Sequence, residues 1–359
     1  MRRSLLDIHG TAIDALAAGA TNWRAHGLDE AQIRALQVPD HAALARCLDW
    51  LAQPGHHLLG WHDPDYPPLL RRIASPPLAL FIAGDPALLW HPAVAVVGSR
   101  NATPGGRDNA RDFAHAFAGS GLCVASGLAA GIDTAAHEGA LAADGLTVAV
   151  LGTGPDVAFP RSNAGLLARI AGRGVVVSEH PPGTGPRREH FPSRNRILAG
   201  LSLGTVVIEA AERSGALITA RQAAEAGREV FAVPGSIHNP LARGCHRLLR
   251  EGVALVESAA EVIEALVPLA GELAEALRDR LEDPISGSGA VAATSARGSV
   301  YPDPDYQCLW QALGHDPTGM DQLVSRTGLT TAELSSMLLV MELEGRVVAQ
   351  HGRYTRKSS

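Results

Sequence analysis

The sequence predicts an α/β protein with a buried parallel sheet at its centre, a helical module before the sheet and a winged helix after it. The main observation is a series of short apolar, β-branched runs separated by Ala-rich segments with helical spacing. Runs that are apolar throughout indicate strands buried on both faces. The predicted strands lie at 93–98, 122–126, 147–152, 174–179, 205–210, 229–235 and 253–258.

The segments around the sheet differ from it in composition. Residues 1–62 alternate apolar and polar patches at helical spacing, which predicts a small helical module. Residues 63–84 are rich in Pro and are interpreted as a connector into the core at 85–258. A helix and a flexible Gly-, Ser- and Ala-rich linker are expected over 259–304. Three short helices and a Gly-hinged hairpin predict a winged-helix domain over 305–357.

The composition excludes several classes of protein. The chain has 359 residues and a formal net charge of −6, and Lys357 is its single Lys. A Lys-containing phosphate loop is therefore excluded, and a lysine Schiff base is improbable. Four scattered Cys residues indicate neither a disulfide framework nor a thiol metal site, and no metal or cofactor is expected. Because neither a signal peptide nor a membrane-spanning run is found, the expected location is the cytoplasm.

Two loops follow predicted strands and precede predicted helices, where free N–H groups and the helix dipole favour anions. The first is VVGSRNATPGG (96–106), in which small residues allow close approach and an Arg offers a charged fork suited to phosphate. The second is ASGLAAGIDTAAHEGAL (125–141). The candidate binding residues of these loops are Gly98, Ser99, Arg100, Ser126, Gly127 and Gly131.

A dinucleotide site is only weakly indicated. Gly152 and Gly154 follow a predicted strand, as in the G-x-G-x-x-G fingerprint. Val157 stands where the third Gly would be, and Pro155 interrupts the turn.

The most distinctive segment is PGTGPRREHFPSRNRILAGLS (182–202), which places four Arg residues around one Phe. Between residues 186 and 250 the charge balance is +5 in a chain that is acidic overall. Cationic side chains with an interleaved aromatic ring predict binding of single-stranded nucleic acid. The alternative is a solvated Arg-rich loop paired with Glu residues elsewhere. The candidate residues here are Arg188, Phe191, Arg194, Asn195 and Arg196.

A further candidate segment lies at SGALITARQA (214–223). Ser214 and Gly215 precede a predicted helix that contains Thr219. These three residues complete the candidate binding set.

Together these motifs resemble the DNA-processing protein A family, also called DprA or Smf. The similarity is specific over about 85–256 and extends to the entry segment and the C-terminal winged helix. The motifs that carry it are GSR (98–100), SGLAAGID (126–133), LGTGPDVAFP (151–160), FPSRNRILAGLS (191–202), SGALITARQA (214–223), GREVFAVPGSIHNP (227–240) and GCHRLL (244–249).

The resemblance implies an extended Rossmann-like core that binds single-stranded DNA without catalysis. It also implies a homodimer that protects incoming single strands during natural transformation and helps to load the RecA recombinase onto them. By motif position, Arg100 would hold a phosphate and Phe191 would contact a base. Two departures stand out, because Arg188 replaces a common Lys and Ala242 replaces a common Ser.

Two other functions remain open at the level of sequence. AGLSLGTVVIE (199–209) faintly resembles the signature of nucleotide phosphoribohydrolases, with Glu209 correctly spaced but the Pro-Gly-Gly absent. The winged helix could instead bind duplex DNA through Arg353 and neighbouring basic residues. It could equally dock a protein, because residues 281–359 carry a net charge of −3.

Overall fold

The computed structural model describes residues 2–282, 304–313, 318–330, 334, 337–338, 340–342, 347–350 and 353–356. The chain divides into two compact units, Met1–Pro284 and Ile285–Ser359. The expected linker after the long helix lies outside the described residues.

The first unit begins with five short helices. Asp29 and Asp40 cap the last two of them, each accepting hydrogen bonds from backbone N–H groups of the first turn. The helices are α1 (Arg2–His9), α2 (Ala12–Ala17), α3 (Gly19–Ala25), α4 (Glu30–Gln37) and α5 (His41–Leu51).

The prediction of a helical module over 1–62 and a Pro-rich connector over 63–84 missed one strand in each segment. The chain after α5 forms β1 (His56–Gly60), and the Pro-rich stretch contains α6 (Pro68–Arg71) and then β2 (Ala79–Gly84). These two strands pair antiparallel with each other, and β2 pairs antiparallel with the strand at Val175–Ser178. Their backbone groups are thus satisfied by the sheet itself, which local composition does not reveal.

The sheet that they extend has nine strands within residues 2–282, and each of the seven runs singled out in the sequence is confirmed as a strand. After β1 and β2, the strands are β3 (Ala93–Val97), β4 (Cys123–Ser126), β5 (Thr147–Leu151), β6 (Val175–Ser178), β7 (Gly204–Val207), β8 (Glu229–Ala232) and β9 (Ala254–Leu255). Their order in the sheet is β1-β2-β6-β5-β4-β3-β7-β8-β9. The seven strands from β6 to β9 in this order each run parallel to their neighbours among these seven.

Helices cover both faces of this sheet. In β3, Ala93, Ala95 and Val97 belong to one apolar cluster, and Val94 and Val96 belong to the cluster on the opposite face. This alternation explains why the strand is apolar throughout. The helices are α7 (Pro104–Gly119), α8 (Ile132–Ala142), α9 (Ala164–Arg173), α10 (His190–Leu201), α11 (Gly215–Glu225), α12 (Arg243–Arg250) and α13 (Ala259–Glu282).

The second unit has the predicted order of helices followed by a hairpin. Leu309, Leu323 and Leu338 are buried in its apolar cluster, and the described residues at 334, 337–338 and 340–342 are helical. Its small sheet has the order β10-β12-β11, with antiparallel pairing. The elements with described bounds are α14 (Pro304–Ala312), β10 (Thr318–Gly319), α15 (Met320–Thr327), β11 (Val347–Gln350) and β12 (Arg353–Arg356).

Candidate nucleic-acid interface

A cavity of about 660 Å³ opens at the carboxyl end of β3. Strand β3 lies between β4 and β7, where the order of the parallel strands changes direction, and ligands of open α/β sheets bind at such a point. Nine of the fourteen candidate residues line the cavity. They are Gly98, Ser99, Arg100, Arg188, Phe191, Arg194, Asn195, Gly215 and Thr219.

An exposed cation and an aromatic ring lie together in this cavity. The guanidinium carbon of Arg100 is 5.3 Å from the centroid of the Phe191 ring, within the range of a cation–π contact. Arg188 is exposed and also lines the cavity. The described salt bridges do not involve Arg100 or Arg188. Both charges are therefore available to a phosphate group.

Arg194 lines the same cavity but is buried, with 5% of its surface exposed. Its Nη1 donates a hydrogen bond to the carbonyl oxygen of Val150. Burial lowers the pKa of the guanidinium to about 10, and the nearby Asp133 partly opposes this shift. A Cβ atom at residue 127 would overlap the guanidinium, so Gly127 provides the space for it. Arg194 thus contributes to packing at the cavity wall.

Asp133 is a buried carboxylate that the candidate set did not include. Its Oδ2 accepts hydrogen bonds from the backbone N–H groups of Gly127 at 3.1 Å and Ala129 at 3.3 Å. Burial raises its pKa, while Arg194 and these hydrogen bonds act in the opposite direction. The carboxylate fixes the loop between β4 and α8.

Five candidate residues are held in contacts away from the cavity surface. Arg196 forms an ion pair with Glu179, whose two oxygens lie 2.6 and 2.7 Å from its Nη2. Ser126 is buried and its Oγ donates to the carbonyl of Val96. The five residues are Ser126, Gly127, Gly131, Arg196 and Ser214, and the last is the N-cap of α11.

The N-terminus of α7, expected as an anion site, is occupied by a carboxylate of the protein itself. Glu209 accepts hydrogen bonds from the backbone N–H of Thr103 at 2.9 Å and from its Oγ1 at 2.6 Å. Asn239 Nδ2 donates to the same carboxylate at 3.1 Å. A Cβ atom at Gly106 would overlap the Glu209 side chain. Gly106 therefore leaves room for an internal anion.

Glu209, the residue that matches the spacing of the phosphoribohydrolase signature, does not line the cavity. Its side chain is 7% exposed and is engaged by Thr103 and Asn239. A general acid or base needs to reach the substrate. This placement gives Glu209 a structural role.

Gly152 and Gly154 also serve packing. A Cβ atom at residue 152 would lie 3.1 Å from the Phe191 ring, and one at residue 154 would lie 2.6 Å from the carbonyl oxygen of Pro181. The two Gly residues allow the segment that carries Phe191 to approach β5 closely. The two Gly residues of the incomplete dinucleotide fingerprint thus have a packing role.

The sequence reasoning missed Phe159, a second aromatic residue of the cavity. Its ring centroid lies 5.4 Å from that of Phe191, with an angle of 39° between the planes. The available signal was the motif LGTGPDVAFP, whose aromatic residue follows a Gly-rich strand end.

Comparison with known proteins gives the family. The family model of DNA recombination-mediator protein A matches residues 57–267. The chain belongs to this family. Its members include Protein Smf of Escherichia coli, which is 39% identical over 86% of this chain and 79% of its own length. The model of the DprA winged-helix domain matches residues 292–353, in agreement with the predicted C-terminal domain.

Two solved DprA structures have the same fold. That of DNA processing protein A from Streptococcus pneumoniae has a TM-score of 0.61 and 42% identity, and covers 66% of this chain and 83% of its own. That of Helicobacter pylori, which concerns a single-stranded DNA binding mode, has a TM-score of 0.54 and 27% identity, and covers 59% and 96% of the two chains. Among the described residues of this DprA family member, none of the helices has the length and hydropathy of a membrane span.

Proposed function

We propose that this DprA family member binds single-stranded DNA in the cavity at the carboxyl end of β3. The observation that carries this proposal is the juxtaposition of an exposed cation and an aromatic ring. The guanidinium of Arg100 lies against Phe191, and Arg188 adds a second positive charge to the same cavity. Cations that contact phosphates, combined with rings that stack on bases, are typical of sites for single strands.

The charge distribution supports the same proposal. The segment 186–250 has a charge balance of +5 in a chain with a formal net charge of −6. A local concentration of positive charge attracts a polyanion even when the protein as a whole is acidic. The relative from Helicobacter pylori, whose structure concerns its single-stranded DNA binding mode, supports the same ligand.

We extend the proposal to the biological role that the family suggests: this protein acts without catalysis, as a homodimer in the cytoplasm. In this role it protects incoming single strands and helps to load RecA onto them during transformation or recombination.

Nuclease digestion of bound strands tests the protection, and light scattering tests whether the protein is a dimer. RecA filament assembly on strands covered by a single-strand binding protein tests loading. Release of ribose 5-phosphate from nucleoside monophosphates would contradict the non-enzymatic role.

The central experiment is fluorescence anisotropy of a labelled oligonucleotide, single-stranded and duplex, across a series of salt concentrations. The proposal requires tighter binding of the single strand, and an affinity that falls as salt rises because bound Arg side chains displace condensed counterions. Equal affinity for duplex, or no binding of single strands at low salt, would refute it.

The first variant to measure is Arg100→Ala. We expect weaker binding of single strands and a log–log salt slope that is shallower by about 0.7, the contribution of one phosphate contact. Arg169→Ala is a matched control, because Arg169 is exposed on α9 and does not line the cavity. If the two variants have the same salt slope, Arg100 does not contact a phosphate.

The second variant is Phe191→Ala. We expect the binding free energy to weaken by about 1–3 kcal/mol, the contribution of one stacked base. The salt slope should remain that of the parent, because stacking releases no counterions. A shallower slope would show instead that the variant displaces Arg100, whose guanidinium lies against this ring.

A further inference from the structure

Phe159 has an unusual environment for a large aromatic residue. It exposes 39% of its surface, on the segment that follows β5, and it lines the cavity. Its neighbour Ala158 packs against an apolar core cluster, whereas Phe159 does not belong to the core clusters of the described residues. An aromatic side chain buries a large apolar area when it is covered. Its position in an open cavity therefore favours contact with a ligand.

The geometry of the rings decides where a base can stack. Phe191 is half-buried, and it contacts both the Phe159 ring and the Arg100 guanidinium. A base inserted between two rings needs them about 7 Å apart, because each stacked contact takes about 3.5 Å. The centroids of Phe159 and Phe191 are 5.4 Å apart, so the two rings form one continuous apolar surface. Bases must approach this surface from the cavity, where Phe159 is the more exposed ring.

We propose that Phe159 is a second base-stacking residue, on which a base of the bound strand rests beside the base that contacts Phe191. The inference depends on the proposed binding of single strands, and it extends the site from one nucleotide to two neighbouring ones. It assigns the phosphate contact to Arg100 and the two base contacts to the paired rings. The affinity of the protein for the strand then depends both on the presence of a base next to Phe159 and on an aromatic side chain at residue 159.

The test compares two substitutions on two ligands. Phe159→Leu keeps apolar volume against Phe191 but removes the ring, and Phe159→Tyr keeps the ring. Each variant is titrated against oligothymidine and against an abasic strand of the same length, at a salt concentration where the parent binds both. Phe159→Met is a second ringless variant should Phe159→Leu fail to fold, and urea unfolding checks each protein.

We expect Phe159→Leu to bind oligothymidine about fivefold to a hundredfold more weakly than the parent, the effect of one stacked base. Its affinity for the abasic strand should equal that of the parent, and Phe159→Tyr should bind both strands as the parent does. Parental affinity of Phe159→Leu for oligothymidine would overturn the inference. So would an equal loss on both strands, because Phe159 would then only position Arg100 and Phe191. A parent that binds neither strand would refute the proposed function itself.

Discussion

Gly131→Ala is expected to lower the free energy of unfolding by about 2–5 kcal/mol, from positive-φ strain and overpacking together. Gly131 has a φ of 81°, which an L side chain rarely adopts. An added Cβ would lie 2.6 Å from the carbonyl oxygen of Arg100 and closer still to that of Ser99. Because both neighbours are backbone atoms, neither can rotate away. Urea unfolding monitored by circular dichroism measures the loss.

The same substitution should weaken binding of single strands. The N–H of Ile132 donates to the carbonyl of Ser99 at 3.2 Å, so the start of α8 fixes the loop that carries Arg100. Gly105→Ala is the matched control, since nothing lies within 4 Å of the position of its Cβ. This control should be neutral or stabilised by up to about 1 kcal/mol, because Ala favours helix over Gly. Equal stabilities of the two variants would contradict the proposed crowding at residue 131.

Glu209→Ala is expected to destabilise the protein by about 2–4 kcal/mol, because it removes charge-assisted hydrogen bonds and an anion at a helix N-terminus. The carboxylate accepts from Thr103 N, Thr103 Oγ1 and Asn239 Nδ2, and thereby joins the loops after β3, β7 and β8. Glu138→Ala is the control, since Glu138 is a partly exposed carboxylate on α8 whose ion pair with Arg111 measures 3.7 Å. The control should lose less than about 1 kcal/mol.

The structural and the catalytic interpretation of Glu209 predict opposite effects on stability and turnover when the residue is replaced. A catalytic carboxylate contributes to turnover, and its replacement by Gln would abolish release of ribose 5-phosphate from nucleoside monophosphates while the stability stayed near that of the parent. If the carboxylate is structural, there is no turnover to lose, and its replacement lowers the free energy of unfolding. Parental stability of Glu209→Ala would therefore contradict the structural role, and turnover by the parent would support the enzymatic one.

The sequence by itself determined the parallel sheet and the family. Each of the seven apolar runs forms a strand. Six of these strands are mostly buried, as expected for strands covered by helices on both faces, whereas the edge strand β9 is exposed. The motifs between 96 and 219 were sufficient to identify nine residues that line the cavity at the carboxyl ends of these strands, together with five that do not. The two antiparallel strands at one side of the sheet, β1 and β2, could not be predicted in the same way. They belong to the sheet through pairing between distant segments, which local composition does not encode.

Tertiary structure alone decided which of the similar side chains face the cavity. Arg188, Arg194 and Arg196 lie within one short segment, yet the first is exposed, the second is buried beside Gly127, and the third is paired with Glu179. Likewise the anion at the start of α7 comes from Glu209, 106 residues beyond Thr103, and Phe159 contacts Phe191 at one wall of the cavity. Exposure and charge pairing depend on which distant segments pack together, so residue type and local spacing cannot specify them.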